Sequence, residues 1–110
     1  MELSIADGFL HIKLNWKEKL ATFSGSRKIL LNNITSIYTD YSRIPNGIRL
    51  PGTYIPYIIT AGTYYTRSGK EFWYVIKKKN ILRLELQNES YARFILGIDD
   101  NEFWKQKLGK

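Results

Sequence analysis

Leu10, Ile12 and Leu14 alternate with His11 and Lys13, the period of a strand with one buried face. Asp7-Gly8 just before it is a turn signal. The period then changes. Trp16, Leu20 and Phe23 fall on one helical face, Asn15 and Glu18 have the spacing of a capping box, and Gly25 is a terminator, so a short helix is expected over residues 16–23. Strands are expected again over 28–31 and 34–40, with Asn32-Asn33 as the bend between them. Residues 42–56 hold Pro45, Asn46-Gly47, Pro51-Gly52 and Pro56, and read as loop.

Beyond that loop, residues 57–66 and 71–76 form an expected hairpin, with Arg67-Ser68-Gly69-Lys70 at its tip. Lys77-Lys78-Lys79-Asn80 makes a second tip. Leu82, Leu84 and Leu86 alternate with Arg83 and Glu85, a half-buried strand, and residues 91–98 supply a last one. Asp99 then reads as the N-cap of a C-terminal helix with Glu102 in its first turn, lysines near its end, and Phe103, Trp104, Lys107 and Leu108 within reach of one face. Short strands separated by turn signals every eight to twelve residues or so suggest a sandwich or barrel. At 110 residues the chain fits a single domain, 1–110.

Composition changes this picture in two ways. The chain has no cysteine, which excludes disulfides, thiolate zinc sites and a cysteine nucleophile. Seventeen basic residues against ten acidic ones give a net charge of +7, a field that favours anionic partners, although a moderate bias spread along the chain also serves solubility. Met1-Glu2-Leu3-Ser4 has neither a basic nor an apolar leader region, and the longest uncharged stretch, 50–66, is broken by prolines and glycines. A cytoplasmic protein without a transmembrane segment is the expectation.

The strand order and several local stretches point to one family. These stretches are Trp16-Lys17-Glu18-Lys19-Leu20, Ile29-Leu30-Leu31 with Ile34, Gly47-Ile48-Arg49-Leu50-Pro51-Gly52-Thr53, Ile55-Pro56, Ala61-Gly62-Thr63-Tyr64, Phe72-Trp73, Leu82-Arg83-Leu84-Glu85-Leu86 and Ile98-Asp99-Asp100. Together they resemble a group of small bacterial pleckstrin-homology-like (PH-like) proteins with no established activity, over nearly the whole chain. The resemblance implies a mainly β fold: a PH-like barrel of about seven antiparallel strands, with a short helix after the first strand and a C-terminal capping helix. Lipid-binding PH domains use spaced basic residues between their first two strands. Lys17, Lys19, Arg27 and Lys28 here do not show that signature, so the resemblance implies no phosphoinositide site.

Candidate chemistry is sparse. His11 is the only histidine and has no acid or nucleophile near it in sequence. Asp99, Asp100 and Glu102 lack the alternating ligands and glycine turn of a calcium loop, and helix capping accounts for them. Gly52-Thr53 and Gly62-Thr63 lack the Lys-Ser/Thr ending of a phosphate loop. Residues 68–75 lack the basic-glycine-aromatic order of an RNA-binding strand. The expectation is therefore a non-enzymatic binding module with no cofactor and no metal site. A protein or peptide partner ranks first, docking beside the C-terminal helix through Phe103 and Trp104. An anion- or nucleic-acid-binding barrel using Arg43, Arg49, Arg67 and Lys70 is the alternative. Self-association is plausible for a small aromatic-rich β domain, and an anionic membrane surface ranks lower.

Overall fold

The computed structural model describes residues 1–22, 24–39, 48–55, 59–77 and 80–109, and of 48–55 the backbone. Asp7 and Gly8 both take positive φ, 54° and 79°. That is the requirement of a two-residue hairpin turn whose twist matches its strands. It joins β1 (Glu2–Ala6) to β2 (Phe9–Lys13) in an antiparallel ladder from Ala6↔Phe9 to Glu2↔Lys13. α1 (Trp16–Thr22) follows, then β3 (Arg27–Leu30), which pairs with the other side of β2. The sequence reading had no strand at Glu2–Ala6, so the helix comes after the second strand and not the first.

A 3₁₀ turn, Leu31–Asn33, carries the chain into a second sheet. It contains β4 (Ile34–Tyr38), β5 (Ile48–Ile55), β6 (Ile59–Thr66), β7 (Gly69–Ile76), β8 (Ile81–Leu86) and β9 (Arg93–Gly97), in the order β4-β8-β9-β7-β6-β5. α2 (Asn101–Leu108) follows. The fold is mainly β, with two sheets that do not close into one barrel. Among the described residues there are nine strands where about seven were expected, and β7 and β9 pair in parallel. β9 lies between β7 and β8, which are adjacent in sequence. Its Gly97 fits there because a Cβ would stand 3.2 Å from Tyr74 O and from Val75 Cα.

β5 corrects the reading of 42–56 as loop. Pro51 sits in the outermost strand of its sheet, where a missing N–H is tolerated. The ladder slips between Arg49 and Gly52, and Gly62 opposite, at φ 126°, takes a conformation open mainly to glycine. Residues 42–47 and Pro56 of that expected loop lie outside the described residues.

The main core fills the space between the sheets. Leu10, Ile12, Leu14 and Ile29 meet Phe72, Leu82, Leu84, Phe94 and Leu96, with Phe72 and Phe94 stacked at 5.0 Å. Trp104 and Leu108 of α2 join this cluster. The far face of the six-stranded sheet carries a second apolar cluster, Tyr64, Trp73, Val75, Ile81 and Ile95.

α2 starts one step later than the sequence suggested. Its N-cap is Asp100, not Asp99. The Asp99 carboxylate instead accepts from Asn80 Nδ2 at 3.0 Å, and Asn101 Nδ2 donates to Ile81 O at 3.0 Å. These bonds, with Ile98 N–H donating to Asn80 O at 2.8 Å, tie the exit of β9 to the entry of β8. Gly109, at φ 68°, closes the helix in the left-handed conformation typical of a C-terminal glycine.

Candidate interaction surfaces

Asn15 and Glu18 form a reciprocal cap. Glu18 N–H donates to Asn15 Oδ1 and Asn15 N–H donates to Glu18 Oε1, both at 2.8 Å. The other Glu18 oxygen accepts from the α-amine of Met1 at 2.5 Å. Thr22 Oγ1 bonds back to Glu18 O at 2.7 Å. Glu18 and Thr22 are the buried residues of α1. With the polar side chains drawn inward, the apolar ones point out: Trp16 is 68% exposed and Leu20 65%. The helical stripe of Trp16 and Leu20 is real, but it faces away from the core. Phe23, the third member of that stripe, lies outside the described residues.

Buried Glu18 also acts on Tyr74. Burial pushes the Tyr74 hydroxyl above its ordinary pKa of 10.0, and the Glu18 charge adds to the rise. The neutral phenol is therefore favoured in the folded state. Its stabilising contribution is fully present below the unfolded value and is lost as pH rises through the folded one. Stability measured by chemical denaturation should fall above pH 10.0, and Tyr74→Phe should flatten that fall.

Tyr74 and Glu18 also line a cleft of about 420 Å³ with Ile76, Lys77, Asn80 and Asp99. On α2 the two expected contact residues separate. Phe103 is 55% exposed, whereas Trp104 is 6% exposed and belongs to the core. Successive helical residues differ by about 100°, so only one of an adjacent pair can face the sheets. Lys107 Nζ lies 5.5 Å from the Phe103 ring and 5.2 Å from that of Trp104.

Of the four basic candidates, Arg67 and Lys70 have described side chains. Arg67 is exposed at the hairpin tip. Lys70 Nζ stands 4.6 Å from the centre of the Tyr91 ring, and the Arg27 guanidinium lies 4.6 Å from the same ring. Tyr91 itself is buried, so it offers no stacking platform for a base. Arg49 is placed in β5 by its backbone, and Arg43 lies outside the described residues. His11 is half-buried, with its ring 6.2 Å from Phe9.

The sequence reading missed one charged cluster. Glu71 is fully buried (0% exposed); it accepts from Trp73 Nε1 at 3.0 Å and pairs with Arg93. Arg93 also pairs with Glu85 at 2.9 Å, and Glu85 pairs with Arg83 at 3.1 Å. Arg83 in turn lies over the Tyr38 ring at 3.9 Å. Burial alone would lower the Arg93 pKa, but hydrogen bonds and charge from Glu85 and Glu71 outweigh it and hold the guanidinium above its ordinary range. The alternation of these strands was visible in the sequence, but their adjacency was not. β9 brings Arg93 between Glu71 of β7 and Glu85 of β8. Arg83, Glu85 and Arg93 border a shallow depression of about 510 Å³ with Ser36, Ser68 and Tyr38. Because these charges neutralise one another, the cluster acts as a brace across three strands.

No family model, curated protein or solved structure matches this chain.

Among the described residues, no group of three or more His, Cys, Asp or Glu side chains could hold a metal ion. No helix among them is long and apolar enough to cross a membrane. Of the surfaces above, α1 turns two large apolar side chains outward on a helix whose start is fixed by the Asn15–Glu18 cap.

Proposed function

We propose that this chain is a non-catalytic interaction module, PH-like in descent, that docks through α1. The observation that carries the reading is the inverted helix: Glu18 and Thr22 inside, Trp16 and Leu20 outside. Burying a large apolar side chain such as Leu is worth about 1.5–3 kcal/mol, and an isolated fold gains nothing from leaving both in water. A partner that covers them recovers that energy. The residue-level likeness to PH-like proteins supports the reading; the parallel β7–β9 pair is a departure that such descent must accommodate.

The peptide site expected beside α2 is weaker for losing Trp104 to the core. The alternative anion or nucleic-acid reading keeps Arg67 exposed among its described members.

Trp16→Ala and Leu20→Ala should each change folding stability by no more than about 0.5 kcal/mol, and the double substitution by no more than about 1 kcal/mol, as for exposed sites generally. Acrylamide should quench Trp16 fluorescence in the free protein. A loss of several kcal/mol, or a shielded Trp16, would mean that this face is packed in the free protein and is not a docking surface.

A further inference from the structure

We infer that the partner of α1 is an anionic lipid bilayer, entered by Trp16 and Leu20 at the headgroup boundary. This rests on the docking role proposed for α1 and names its occupant.

The arrangement around the helix axis supports it. At about 100° per residue, Trp16 and Leu20 point within about 40° of each other, and Lys19 and Lys17 flank the pair about 60° to either side. The only acidic residue of α1, Glu18, is buried against the Met1 amine. The exposed face is therefore two apolar side chains between two cations, a small version of an interfacial amphipathic helix. Tryptophan is the side chain best suited to that boundary, with an apolar ring and one N–H to leave wet. Lysine stems can lie along the apolar layer while their ammonium groups reach the phosphates. Lys17 Nζ already lies 5.7 Å from the Trp16 ring centre.

Other occupants fit less well. A second copy would bring an identical lysine-flanked face against this one, on a chain of net charge +7. A peptide would seek a groove, but neither the cleft beside Tyr74 nor the depression beside Arg83 is lined by Trp16 or Leu20. Both side chains are largely exposed, and a fluid bilayer can receive them without a groove.

The chain provides its own probe. It has three tryptophans, and Trp73 and Trp104 are buried, so a change in emission on binding reports Trp16. Vesicles of phosphatidylcholine with phosphatidylserine should shift the emission to shorter wavelength, and brominated acyl chains should quench it. Phosphatidylcholine alone should bind at least about tenfold more weakly, because each basic residue near an anionic surface contributes about fivefold. Removing both apolar groups by Trp16→Ala with Leu20→Ala, read by co-sedimentation, should cost about tenfold or more. Lys17→Gln with Lys19→Gln should weaken binding and its salt dependence together.

Absence of binding to phosphatidylserine vesicles at low salt would overturn the inference. So would equal binding by the Trp16/Leu20 variant, or shielding of Trp16 by concentration alone without lipid. If Trp16 is free and dispensable for stability yet ignores vesicles, the docking reading stands and the bilayer is excluded as its partner.

Discussion

Replacing Glu71 with alanine is expected to cost about 3–5 kcal/mol of folding stability, the usual range for removing one partner of a buried ion pair. Urea denaturation of the purified variant measures it. The cost comes from what is left behind. Arg93 keeps its charge but loses its innermost acceptor, and Trp73 Nε1 loses the Glu71 carboxylate that accepts from it. Glu71→Gln should be milder, because an amide oxygen can still accept from Trp73 or Arg93. A loss under about 1 kcal/mol for alanine would mean that water reaches the cluster and screens it as it does a surface pair.

The second large effect is on α2. Trp104→Ala should cost about 3–5 kcal/mol, as large-to-small changes of buried aromatics do. Phe103→Ala should stay within about 0.5 kcal/mol. Thermal or chemical unfolding of the two variants measures the contrast. If the costs came out equal, α2 would sit on the sheets with a rotation different from the one described. The pair matters because the sequence places both aromatics within reach of one face, and only packing chooses between them.

That choice illustrates what the sequence could and could not convey. Strand β8 was plain, because Leu82, Leu84 and Leu86 alternate with charged residues. The cap of α1 was equally plain, being a local hydrogen-bond pattern set by residue type and spacing. β1 has an alternation at Leu3 and Ile5, but it is only five residues long and mostly exposed, so its pattern is weak. β5 was obscured for a physical reason: Pro51 and Gly52 are breakers in most strands and are admissible at a slipped outer edge. The orientation of α1 could not be read from periodicity. The rule that apolar faces turn inward assumes no competing anchor, and Glu18, tied to Asn15 and Met1, is such an anchor. The brace of Glu71, Arg93 and Glu85 was hidden because its members lie on three strands whose order is not their sequence order. The candidate surface was thus half legible: its residues stood out as a stripe, and their exposure did not.

The place of β9 has a consequence for how the molecule comes into being. β7 and β8 emerge one after the other, yet they cannot zip together, because the slot between them belongs to a strand made later. Until Arg93–Gly97 has left the ribosome, both neighbours carry an open edge, the feature that invites pairing with other chains. β9 then pairs locally with β8 and, across the whole of β8, in parallel with β7, and parallel pairing of this kind is intrinsically slow. The centre of the larger sheet is therefore the last part to be completed, and a nascent chain halted before it would be the species most exposed to aggregation.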